Sequence, residues 1–330
     1  MKLRTSFYKQ IILIAALGLF FGACKKDPYS LPTLQDVLQN DAIKRTQGPN
    51  IVGLNIEFAY AMALPKAKGK LVSAEVVASI AGATGTFLEH RSFYTNSSGA
   101  DVPVVVGTPS VTVGEKTTMN FSVDTFAATL RYFYLVPEAA RGKTVSFTFT
   151  AKSSNGETVT QSLGPYTVAK MDMFRNKTVS DANAMYISIQ DSTIYTAANV
   201  GANASKVDLV YLYRATPTTF AHALVSPAAD PKYLPGVTLP AGMNRSTKLI
   251  KVFSLQDFNL AQLQFGIYID DVDFQQANFT DAPNFATNLK AEAGVWVETA
   301  DGKYRAYIYL NSINNTAKSA VISMKRYQMQ

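Results

Sequence analysis

Only one cysteine, Cys24, and two histidines, His90 and His222, occur in the 330 residues. A lone thiol can form neither an internal disulfide nor a cysteine-based metal site, and it leaves thiol catalysis a single position. The histidines lie far apart, so a Ser-His-Asp arrangement has at most one of them. No serine sits in a G-x-S-x-G elbow, and Ser226 in "LVSPA" lacks both glycines. Phosphate-loop and dinucleotide glycine patterns are absent too. No apolar run reaches the ~20 residues that a membrane-spanning helix needs. Charge is sparse, with 31 basic against 24 acidic side chains and no dense basic run, which gives the chain little reason to meet nucleic acid. The basic stretch "KAKGK", residues 66–70, reads as a solvated loop. Neither a catalytic set nor a metal or other cofactor is expected.

What the chain does have begins at its start. Lys2, Arg4 and Lys9 precede eleven apolar residues, 11–21, which is a basic n-region feeding an h-region of export length. Gly22 and Ala23 then stand before Cys24. This stretch resembles a bacterial lipobox, with Phe21 where leucine is commonest. The resemblance implies cleavage before Cys24 and lipid on its sulfur and its new amine, a two-signal anchor that holds where one acyl chain does not. Loss of the signal leaves 28 basic and 24 acidic side chains, a mild +4. The "CKKD" that follows resembles the start of outer-membrane and surface lipoproteins of Bacteroidota, and implies an outer-membrane location, with the cell surface favoured over the periplasmic face.

Residues 1–24 are thus read as the signal and lipobox. Residues 25–50 hold three prolines and are read as a tether, with a turn or two of helix capped by Thr33 and bearing Leu34, Val37 and Leu38. From residue 51 the period becomes two. "IEFAYAMAL" puts Ile56, Phe58, Tyr60, Met62 and Leu64 on one face, and Glu57 with three alanines on the other. In residues 142–168, Val145, Phe147, Phe149 and Ala151 alternate with polar residues before an Asn155-Gly156 turn and a return strand ending "GPYTV". That ending resembles bacterial immunoglobulin-like domains, so residues 51–170 are read as such a β-sandwich, with "PEAARG" as a short helical connection. Residues 171–330 form a second β-rich domain, a β-sandwich or α+β. Within it "KVDLVYLYR" is apolar on both faces, as a central strand is. "AQLQFGIYID" reads as a half-buried strand, against a short helix from Ser254 with Asp257 in its capping box. Residues 227–240, with four prolines, must be loop.

Three features bear on chemistry. Asp270, Asp271 and Asp273 are grouped, but strand geometry would divide them between faces, and a calcium loop's glycine and closing acid are missing, so strand-end solvation is the favoured reading. His222 between alanines reads as a packed residue rather than a base. In "VWVETADGKYRAYIYL", residues 295–310, an Asp301-Gly302 turn sets Trp296 opposite Tyr307 and Glu298 opposite Arg305. One face then carries Trp296, Tyr307 and Tyr309 beside Glu298 and Arg305, a platform suited to a sugar or peptide. The alternative is a covered tryptophan. The expectation is a non-enzymatic, lipid-anchored envelope protein that binds a glycan or peptide, accessory to an importer of the SusC/SusD kind that its lipoprotein start and sandwich layout resemble. A purely structural or adhesive surface lipoprotein is the alternative.

Overall fold

A computed structural model describes residues 35–261 and 266–329. The signal, Cys24 and the first part of the expected tether lie outside the described residues. The chain is mainly β and has two domains.

In the first domain, Gln39–Lys44, Asn55–Ala63, Ala127–Leu135 and Phe87–Leu88 make one antiparallel sheet in that order. Thr158–Thr167, Thr144–Ser153, Leu71–Ala78, Lys116–Asn120 and Val111–Val113 make the other. The pairing has the A-B-E-D and G-F-C arrangement of an immunoglobulin sandwich, with two strands added beyond C. The alternation read from sequence decides the filling: Ile56, Phe58, Tyr60 and Met62 face Val145, Phe147, Phe149 and Ala151, all buried in one core. Phe58 lies 4.7 Å from Phe147 and 5.3 Å from Phe149, ring to ring. Gly156 turns the hairpin at φ +88°, a conformation a Cβ disfavours. "PEAARG" supplies the expected short helical connection, Glu138–Ala140.

The tether ends earlier than its prolines indicate. Residues 35–38 are not helical, Leu38 is buried, and Gln39–Lys44 pairs with Asn55–Ala63 from Gln39 opposite Ala63 to Lys44 opposite Phe58. Leu38 and Ala42 supply the inward-facing apolar side chains that an edge strand needs, and both join the first core.

The second domain is also a sandwich. Asp172–Ser180, Ser319–Gln328, Tyr304–Asn314, Ala293–Glu298 and Lys248–Phe253 form one sheet. Thr193–Tyr195, Tyr186–Ser188, Leu209–Arg214, Ala221–Val225 and Phe285–Leu289 form the other. Val179, Tyr211, Leu224, Val295, Val297, Ile308 and Ile322 fill the space between. Leu209–Arg214 is the middle strand of its sheet, and Leu234 of the proline-rich loop, with Met243 just beyond it, helps to bury its second face against Val210 and Leu212.

Two expectations for residues 254–276 change. Residues 262–265 lie outside the described residues, and 266–270 pair in no ladder. Nor does a helix start at Ser254. A helix runs over Asp271–Gln276, with Asp270 as its N-cap and Asp273 closing a reciprocal capping box. Helical rather than strand geometry therefore brings Asp270 and Asp273 together, and Asp271 is taken by the linker: it accepts from the Lys170 and Met171 amides at 2.6 and 3.2 Å. From the first domain, Arg141 donates to the Lys170 and Met171 carbonyls at 2.8 and 2.9 Å and pairs with Asp172 at 2.7 Å. Ile51, Met171 and Phe274 are buried in one shared cluster, so the domains are joined by packing as well as by chain.

Candidate functional site

The hairpin of residues 293–314 has the register expected of it, with Val295 opposite Ile308, Trp296 opposite Tyr307 and Glu298 opposite Arg305. Its aromatic face, however, is not an open platform. Residues 254–261 and 266–276 lie over it, so Tyr307 is 0% exposed and Tyr309 3%. The Tyr307 hydroxyl donates to the Leu255 carbonyl at 2.5 Å, and Trp296 packs on Phe274 at 5.5 Å and on Tyr307 at 4.9 Å. Arg305 pairs with Glu298 at 2.8 Å and donates to the carbonyls of Phe274 and Gln275, capping the short helix. Gly294 makes room: a Cβ there would lie 1.9 Å from the Tyr307 hydroxyl. The aromatics that sequence marked for a ligand hold a covering segment instead.

That cover is locked by charge. Lys325 and Asp257, both with fully buried side chains, meet at 2.6 Å, and the ammonium also donates to Asn259 Oδ1 at 3.0 Å and to the Ile269 carbonyl at 2.9 Å. Burial pulls the Lys325 ammonium below its ordinary range, and the Asp257 carboxylate opposes that pull. Three acceptors satisfy its three donors, and in a buried site that makes the pair tolerable. Asp257 in turn fixes the cover's backbone, accepting from the amides of Asn259 at 2.8 Å and Ile269 at 2.5 Å.

The lock positions a different set of aromatics. Phe258 and Tyr268 stand 5.5 Å apart on the cover, tied by the Phe258 amide to the Ile267 carbonyl at 2.8 Å. Together with Asn259 they form one wall of a cavity of about 500 Å³, and the first domain supplies the other wall with Arg45, Gln47, Asn50, Leu54 and Asn55. Arg45 is held by Glu57 at 2.8 Å, and Asn50 donates to the Thr167 carbonyl at 2.7 Å. Burial, aided by the Asp257 charge, raises the Tyr268 hydroxyl above its ordinary range, so it stays a neutral donor. Aromatic faces opposite amides and a guanidinium suit a ligand with an apolar face and a hydroxyl or amide rim. Sequence reasoning missed this wall. "DFNL" and "GIY" carry no clear strand or helix period, and their aromatics interleaved with amides are the signal, while Arg45, Gln47 and Asn50 of the first-domain wall fall inside the expected tether.

The remaining candidates are packed. His222 is buried, with Nδ1 2.5 Å from the Tyr211 hydroxyl and Nε2 2.8 Å from Asn315 Oδ1, and burial holds its pKa down. Ser226 donates to the Arg245 carbonyl and accepts from the Thr247 amide, a turn-fixing role. Among the described residues no group of three or more potential ligands is placed to hold a metal ion.

Two family models divide the chain. Residues 35–168 match the domain of unknown function DUF4466, and residues 169–329 match the domain of unknown function DUF8576. A solved DUF4466 family protein from Parabacteroides merdae is 48% identical, with a TM-score of 0.85 over 89% of this chain and 99% of that one. The major pilin subunit of Bacillus cereus is 9% identical with a TM-score of 0.28, over 86% of this chain and 63% of that one. No curated protein matches the chain.

Proposed function

We propose that this chain, which belongs to the DUF4466 family, is a lipid-anchored binding protein of the bacterial outer membrane that captures a glycan or peptide without turning it over. The observation that carries the reading is the interdomain cavity: Phe258 and Tyr268 on one side face Arg45, Gln47 and Asn55 on the other. Ligand sites favour domain interfaces, and a volume of about 500 Å³ falls within the range of small-molecule pockets. Arg141 and Asp271 both bond the linker between the domains, and such ties favour a pre-organised cavity with a smaller ordering penalty on binding. Anchoring through Cys24 and service to an outer-membrane importer rest on the lipobox and the "CKKD" start. The similarity to a protein of Parabacteroides, a member of the Bacteroidota, supports the Bacteroidota part of that reading.

The test is a screen of the soluble protein, starting at residue 35, against arrays of envelope and dietary glycans and of short peptides. Binding that Tyr268→Ala abolishes while the melting temperature holds would establish the reading. A blank screen, or hits indifferent to Tyr268 and Phe258, would leave a structural or adhesive lipoprotein.

A further inference from the structure

A second cleft, of about 720 Å³, opens where Leu209–Arg214, Ala221–Val225 and Phe285–Leu289 run out. Two residues on its wall, Ala221 and Asn288, adopt left-handed backbone at φ +46° and +54°. Alanine pays sterically for that conformation, and such residues gather at binding sites. Behind them His222 is neutral. Its Nε2 hydrogen donates to Asn315 Oδ1 and its Nδ1 accepts from Tyr211, so the Asn315 NH₂ is left as a donor on the wall. The Tyr213 ring lies 4.6 Å from the imidazole and forms an aromatic side of the cleft.

The charges are unequal. Arg214 is neutralised by Asp181 at 2.5 Å and also donates to the Pro235 carbonyl. Lys290 is exposed, and among the described residues it makes no ion pair and no carboxylate lines the cleft. One uncompensated cation, amide donors and an aromatic side match a single negative charge. A dianion such as phosphate would call for a second free cation, which Arg214 cannot supply.

We infer that this cleft binds a small ligand carrying one carboxylate, seated by Lys290 and Asn315 against Tyr213. The carboxylate belongs either to a sugar acid or to a short peptide's terminus. Titration calorimetry with glucuronate, glucose and diglycine separates these sources. The expected result is binding of glucuronate or diglycine at least about tenfold tighter than glucose, with Lys290→Glu removing that preference and leaving the melting temperature unchanged. Tyr268→Ala, at the interdomain cavity, should leave it intact, so the two sites can fail separately. Equal binding of glucose, binding indifferent to Lys290→Glu, or no binding of either carboxylate overturns the inference.

Discussion

Asp257→Asn leaves the Lys325 ammonium without the carboxylate that touches it, in a site where neither side chain has any exposure. Two limits bracket the effect. Breaking one partner of a buried pair typically destabilises by ~3–5 kcal/mol. The lysine can escape by losing its proton, and moving it from 10.5 to neutral pH sets a ceiling of about 5 kcal/mol. The two bounds agree, so a loss of ~3–5 kcal/mol is expected, together with loosening of the cover. Adding Lys325→Met should restore most of it, because a buried pair replaced by apolar side chains is often neutral or better. The assay is urea unfolding followed by Trp296 fluorescence, since the chain's one tryptophan sits under the cover against Phe274. The single variant should also regain stability as pH rises toward 10. Its folded-state lysine pKa lies below the unfolded value, so the unfolded chain holds the proton longer. A loss below about 1 kcal/mol for Asp257→Asn, or a double variant no better than the single, would refute the lock.

Gly294→Ala should destabilise the second domain by ~1–3 kcal/mol, read as a fall in melting temperature, because its Cβ would meet the Tyr307 hydroxyl and ring edge at 1.9–2.8 Å. Asp208, fully buried against Arg245 at 2.8 Å, is raised from 3.8 to about 6 by burial, which the Arg245 charge only partly offsets. Between those values the folded state holds a proton that the unfolded chain has lost. Its contribution therefore falls as pH rises from about 4 to about 6, by ~3 kcal/mol, and subtracting an Asp208→Asn melting curve from the native one should show that slope. Cys24→Ala should move the protein from the outer-membrane to the soluble fraction. Sedimentation with membrane after a high-salt wash would place the anchor elsewhere.

Strand pairing between near neighbours was legible because period and turn are local. Asn155-Gly156 and Asp301-Gly302 set both hairpin registers, and Leu209–Arg214 declared its central place by being apolar on both faces. What covers a face was not local. Tyr307 is buried by a carbonyl at Leu255, 52 positions away, and nothing in its strand distinguishes a wet aromatic face from a covered one. Gly294 was the one local hint, a glycine in a strand where a ring lies across the backbone. The first strand hid for a different reason: prolines at 28, 32 and 49 read as linker, while only two apolar side chains dock it, Leu38 and Ala42, and they make a weak pattern. Asp270 and Asp273 carry a capping-box spacing, which outweighed the alternation that had placed them on a strand.

The most direct measurement of the central claim is the dissociation constant of the best ligand from the glycan and peptide screen, taken by titration calorimetry on the native protein and on Phe258→Ala and Tyr268→Ala. Removing an aromatic wall should weaken binding by at least about tenfold, roughly 1.4 kcal/mol, in each variant while urea unfolding stays native-like. Affinity unchanged in both variants would contradict a ligand site between the two domains.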